Sequence, residues 1–174
     1  LELIPRDHFD FTEARRRAWK AYADARFGPE VMPLERLDRL MRGPVVSHLL
    51  HFADRDREVG TVLMFLEESA IAYYYYAFYD LEYFACSLGM FMMTAAVDWF
   101  ARRGFVHFHH GTCYSRRALY KTQFAGIQFF NGFRWSGDLE ELKFLLMREE
   151  KPLSGHLLEM PEFQEAFYDG TVAK

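Results

Sequence analysis

The chain has 174 residues, 51% of them hydrophobic and 18% aromatic, with 21 basic against 25 acidic side chains and a formal net charge of −4. This length and apolar content suit a single domain, 1–174, with a sizeable core, and they exclude a disordered chain. The charge excludes a global basic field for nucleic acid, two cysteines (Cys86 and Cys113) make neither a disulfide framework nor a four-ligand zinc site, and no apolar run approaches the roughly 20 residues that span a bilayer.

Near the N-terminus Arg6, Asp7 and Asp10 arrive too early for a signal peptide, so a cytoplasmic protein is expected. Residues 12–27 read as a basic amphipathic helix. Thr12 caps it, Ala14, Ala18, Trp19, Tyr22 and Phe27 are its apolar members, and Gly28-Pro29 stops it. Its cluster Arg15-Arg16-Arg17 with Lys20 is the densest basic patch in the sequence. A second helix is expected from Leu34 to Met41, before Gly43-Pro44. Three strands follow at about 45–53, 59–67 and 71–79, with Asp54-Arg55-Asp56-Arg57 and Glu67-Glu68-Ser69 as the turns between them. The third is a run of aromatic and β-branched residues, the composition of a strand buried on both faces. After Tyr79-Asp80 and a short loop, Ser87 stands at the N-cap of an apolar helix carrying Leu88, Phe91, Met92, Ala95, Ala96, Trp99 and Phe100. Arg102, Arg103 and Gly104 close it. A strand at 105–110, a short helix at 115–124 and strands at 129–135 and 142–147 complete the expected elements, with Pro161-Glu162-Phe163 opening a small helix in the tail. The N-terminal helices (1–44), the core (45–147) and the tail (148–174) together give an α+β order: a mixed, mainly antiparallel central sheet flanked by helices.

The chemistry-bearing residues gather around the strand–helix unit at 71–104. Amide N–H groups at Ser87, Leu88 and Gly89 make a natural anion site, although a plain helix cap explains them equally well. Asp80, just beyond the strand, is placed to orient or deprotonate an attacking amine. Tyr79 and Tyr120 offer hydroxyls to a reacting carbonyl, against the commoner role of core aromatics with wet tips. A backbone N–H between Tyr79 and Leu81 is a candidate oxyanion donor. On a short helix Arg117 and Lys121 are four apart and share a face, either solvated or holding a phosphate or carboxylate. His107 and His109 share one strand face and His110 points oppositely, so a metal lacks its third ligand and none is expected. His109 or His110, at the strand's end, suits a general base instead. Cys113 lies close by, with no third group to orient a Cys/His pair.

Three segments carry a resemblance. Tyr76-Ala77-Phe78-Tyr79-Asp80, Ser87-Leu88-Gly89 and the run from Ser115 to Phe124 (SRRALYKTQF) are similar, in order, to motifs of the C-terminal catalytic domain of the arginyl- and leucyl-tRNA–protein transferases. The resemblance spans about Arg15 to Trp135, and the element order resembles the acyltransferase fold called GNAT. It implies transfer of an activated aminoacyl or acyl group, from aminoacyl-tRNA, to the amine of a small molecule or a protein N-terminus. Asp80, Tyr79, Tyr120 and His109 would be catalytic, and Ser87, Leu88, Gly89, Arg117 and Lys121 would hold the donor. The departures are specific. There is no counterpart of the family's cysteine-rich acceptor-reading domain, His109-His110-Gly111-Thr112 replaces an L-G-Y-W segment, and Arg117-Ala118 replaces Lys-Met. The alternatives are an N-acetyltransferase using acetyl-CoA or another acyl-CoA, or a non-catalytic binding module on the same fold. Acetyl-CoA enzymes of this fold show R/Q-x-x-G-x-G/A where this chain has Phe84-Ala85-Cys86-Ser87-Leu88-Gly89. No cofactor is firmly indicated, no membrane partner is expected, and the oligomeric state is not readable from the sequence.

Overall fold

The computed structural model describes residues 1–68, 70–147, 156 and 159–170. They form two compact units, Leu1–Gly111 and Thr112–Lys174. In the first, strand β1 (Glu2–Pro5) is followed by helices α1 (Glu13–Phe27) and α2 (Leu34–Arg42). Then come β2 (His48–Asp54), β3 (Arg57–Glu67), β4 (Ile71–Tyr79), helix α3 (Leu88–Ala101) and β5 (His107–His109). The five strands form one sheet in the order β1-β2-β3-β4-β5, antiparallel except where β5 joins β4 in parallel. This is the α+β order expected, a mainly antiparallel central sheet flanked by helices.

Local chemistry accounts for the early elements. The Thr12 hydroxyl accepts the Arg15 N–H at 3.2 Å, and Gly28 ends α1 at φ 97°, a conformation that favours glycine. The expected turn at 54–57 is a hairpin with Arg55 at φ 54°. β1 has no counterpart in the sequence reading. Four residues ending in proline carry no usable period, and the strand exists because the edge of β2 pairs with it, Leu3 opposite Leu50.

The helices cover opposite faces of this sheet. Leu63 and Phe78 are buried with Trp19, Tyr22 and Leu37 of α1 and α2. On the neighbouring parity, a Cβ on Gly60 would lie 2.6 Å from the Met92 sulfur of α3. Trp19 stacks on Phe78, centroids 4.7 Å apart and planes 4° from parallel, a contact worth about 0.5–1.5 kcal/mol beyond its buried area. On α1, Trp19, Tyr22 and Ala23 are buried, whereas the expected apolar members Ala14, Ala18 and Phe27 are exposed.

β4 contains a bulge. Leu63 pairs with Tyr76 and Met64 with Tyr74, so Tyr75 is an extra residue. The bulge reverses the alternation. Tyr74 meets Phe108 over α3, while Tyr76 and Phe78 turn to the α1–α2 face. Without it, Tyr74, Tyr76 and Phe78 would all face one side.

The second unit departs more from expectation. Residues 115–124 hold a 3-10 helix, Arg116–Gln123, rather than an α-helix. The strand expected at 129–135 is two short strands, β6 (Phe129–Phe130) and β7 (Trp135–Ser136), paired as a hairpin. The strand expected at 142–147 is instead helix α4 (Leu139–Leu146). Asp138 caps it, accepting the N–H groups of Glu140 and Glu141, and Leu142 and Leu146 are buried four apart. Helix α5 (Pro161–Tyr168) begins at the expected proline. Glu141, 1% exposed, ties these pieces together: its Oε1 accepts Asn131 Nδ2 at 2.7 Å and the Tyr168 hydroxyl at 2.5 Å. The expected turn residue Ser69 and residues 148–155 of the tail lie outside the described residues.

Candidate active site

β4 and β5 pair only at Ile71–His107, Ala72–Phe108 and Tyr73–His109. Beyond Tyr73 the strands part, and β4 continues through Tyr79 with no strand on that side among the described residues. At ~3.3 Å per residue this open edge is roughly 20 Å long. Its far end leads through a 3-10 helix, Leu81–Cys86, into the start of α3.

Ser87, Leu88, Gly89, Tyr79 and Asp80 come together there. Ser87 does not cap α3 with its side chain. It sits at φ 56°, ψ 36°, its N–H donating back to Phe84 and its carbonyl accepting from Met90 and Phe91. A left-handed residue joining two helical segments spends its backbone on the join. This leaves the amides of Leu88 and Gly89 at the first positions of α3, where no intrahelical acceptor exists. Gly89 has a packing reason: a Cβ there would lie 2.9 Å from Cε1 of the Tyr79 ring. That ring also meets Tyr22, centroids 4.7 Å apart. Burial, reinforced by the hydrogen bond to Tyr79, pushes the Tyr22 phenol far above its ordinary range.

Each oxygen of the Asp80 carboxylate accepts one protein donor. Oδ1 accepts the Glu82 N–H at 3.0 Å, capping the 3-10 helix, and Oδ2 accepts from Arg57, which also holds Glu82 at 2.7 Å. The Asp80 N–H, an expected oxyanion donor, is donated to the Val59 carbonyl at 2.9 Å.

His109 stands at the other end of the open edge, opposite Tyr73, and is therefore not assembled with Asp80. Its ring lies 6.1 Å from that of Tyr73. Desolvation, with the nearby His107, holds its pKa below the ordinary histidine value, favouring the neutral imidazole.

Tyr120, Arg117 and Lys121 belong to the second unit. Four residues on a 3-10 helix are a third of a turn past a full turn, so Arg117 and Lys121 do not share the face an α-helix would give them. Lys121 donates to the Thr112 carbonyl at 2.8 Å, and burial lowers its pKa despite Cys113. Burial also raises the Cys113 thiol, opposing thiolate formation. Tyr120 is 45% exposed. Among the described residues no three His, Cys, Asp or Glu side chains converge as metal ligands do, and no helix is long and apolar enough to cross a membrane.

A cavity of about 490 Å³, which the sequence did not announce, opens between α1, the start of β3 and the end of β4. Tyr79 and Asp80 line it, as do Ala14, Ala18 and Ala21 from the exposed face of α1. Alanines at i, i+4 and i+7 are the one sequence signal that could have located it.

No family model and no curated protein matches the chain by sequence. Among solved structures it is similar to an aminoglycoside acetyltransferase from an uncultured soil metagenomic sample, at 14% identity and a TM-score of 0.47, covering 78% of this chain and 93% of that one. That acetyltransferase was solved in complex with sisomicin and, separately, with trehalose.

Proposed function

We propose that this chain is a GNAT-type acyltransferase that moves an acyl group from acetyl-CoA, or another acyl-CoA, to an amine on a small molecule or a protein N-terminus. One observation carries the reading: a parallel strand pair parts after three residues, and the N-terminus of α3 lies at the open end. A donor with anionic phosphates at one end and a thioester at the other fits this layout. The Leu88 and Gly89 amides would hold the phosphates. The edge of β4 would hold the extended arm, lying along the strand past the point where β5 parts from it. The thioester supplies the activated carbonyl, and the arm delivers it toward His109, roughly 20 Å from the phosphates, rather than to Asp80.

At that end the chain's own groups do the remaining work. An amine arrives protonated near neutral pH and must lose a proton to become nucleophilic. His109, whose neutral form is favoured by desolvation, would accept it. Tyr75, the extra residue at the bulge, would turn its backbone N–H to a developing oxyanion. Asp80 then anchors the strand end instead of taking the proton.

An acyl-CoA donor is favoured over aminoacyl-tRNA because the basic cluster is neutralised from within. Arg15 pairs with Glu58 at 2.7 Å, Arg16 with Asp38 at 2.7 Å and Arg17 with Glu13 at 2.9 Å. Arg16, chiefly by hydrogen bonding, holds Asp38 below the usual carboxylate range. Little charge is left over for tRNA phosphates.

Titration calorimetry with acetyl-CoA and with a charged tRNA, at about 50 and 200 mM salt, tests the donor. Saturable acetyl-CoA binding with a shallow salt dependence is expected. Steeply salt-dependent tRNA binding without acetyl-CoA binding overturns the reading. His109→Gln should lower kcat by about 10²–10⁴-fold and leave acetyl-CoA affinity unchanged. Wild-type turnover in that variant removes His109 as the base.

A further inference from the structure

The donor loop is poor. It has one glycine, and that glycine accommodates a tyrosine ring, so two backbone amides are the main anion donors and affinity must come from elsewhere. The cavity beside Tyr79 lies in the right place. The Tyr79 ring touches the first turn of α3 on one side and lines the cavity on the other. The open edge of β4 leads away from the α3 N-terminus, and the cavity is lined by the end of the strand that adjoins it. We infer that this cavity receives the purine of the donor's nucleotide, with phosphates at Leu88 and Gly89 and the acyl arm along β4. The inference rests on the acyl-CoA reading above.

The lining suits a flat heteroaromatic ring bearing an amino group. One wall is the alanine face of α1, which presents nothing beyond Cβ, and Leu81 is apolar on the other side. Trp19 and Tyr22 form an aromatic floor. At the rim, Glu58 and Asp80 carry carboxylate oxygens, each with one protein donor. A carboxylate oxygen has a second lone pair, so an exocyclic amino group can donate to it without breaking either ion pair. A volume of about 490 Å³ is within the range of small-ligand pockets. The alternative occupant, an apolar amine drawn by the carboxylates, separates cleanly in the test.

The test is direct binding by calorimetry, using acetyl-CoA, S-acetyl-4′-phosphopantetheine (which lacks the nucleotide), adenosine 3′,5′-bisphosphate and phenethylamine. Ala18→Leu fills the cavity from an exposed helical site with little loss of helix propensity, and Ala25→Leu, on the same face but outside the lining, controls for surface effects. The wild type should bind acetyl-CoA at least about tenfold more tightly than the truncated donor. Ala18→Leu should erase that difference and abolish binding of the bisphosphate, while the truncated donor binds as before and Ala25→Leu behaves as wild type. Equal wild-type affinities for acetyl-CoA and the truncated donor, or an Ala18→Leu variant with undiminished acetyl-CoA affinity, overturns the purine assignment and leaves the donor reading standing. Phenethylamine bound in place of the bisphosphate, and lost in Ala18→Leu, assigns the cavity to an amine and also overturns it. A wild type that binds neither donor defeats both readings.

Discussion

Tyr79 is the residue on which the candidate site turns. Its ring packs on Gly89 at the start of α3, meets Tyr22 of α1 and lines the cavity. Gly89→Ala would place a methyl group 2.9 Å from that ring, and Tyr22 blocks retreat on the other side. A loss of about 1–3 kcal/mol in denaturant unfolding is expected, as for other overpacked sites. In a double-mutant cycle, adding Tyr79→Leu should recover most of the loss; additive effects would show that the ring is not the obstacle. A second residue-scale expectation concerns pH. Burial depresses the pKa of His48 and, with His107, that of His109. Between the folded and unfolded pKa values the unfolded chain binds more protons, so stability rises with pH there. The stabilisation is complete above the ordinary histidine value near 6.5 and is lost as pH falls through the depressed folded values. Melting temperature should therefore drop on acidification below about pH 6.5, and less steeply in His48→Gln/His109→Gln. An unchanged slope would assign the acid sensitivity to other groups.

At the scale of elements, α4 shows what a short apolar run conceals. Leu142 to Met147 suits a buried strand as well as a helix, because six residues are too few for period to decide. The deciding features lie just upstream, in the cap at Asp138 and the acidic first turn at Glu140 and Glu141. Asp138→Ala should cost about 1 kcal/mol. Tyr168→Phe should cost about 1–3 kcal/mol, because it removes a hydroxyl that donates to the buried Glu141 and accepts from Asn131 at 2.7 Å. Urea unfolding of the two variants checks both values; a neutral Tyr168→Phe would mean that Asn131 alone satisfies Glu141. The bulge in β4 is the other element-scale decision. It turns Tyr76 and Phe78 toward α1 and leaves Tyr75 unpaired near the point where β4 and β5 part.

For the whole molecule, the sequence alone determined the order of elements from α1 through β5. Caps, glycine stops and turn residues act within a few positions, and periodicity acts within one element. Thr12, Gly28 and the turn at 54–57 performed locally what their chemistry dictates. The sequence also determined the α+β class and placed Tyr79, Asp80 and the start of α3 together, since they adjoin in the chain. Only the tertiary structure decided that β1 exists, that β5 runs parallel to β4 for three residues, and that His109 lies a strand-length from Asp80. It alone showed that Asp80 and the three consecutive arginines of α1 are already ion-paired, with partners 20 to 45 positions away for Asp80, Arg15 and Arg16. The cavity belongs to the same class, because its walls come from α1, β3 and β4. Each of these features depends on groups distant in sequence meeting in space, and no local pattern encodes which distant partner a charge, an edge strand or an exposed alanine face will meet.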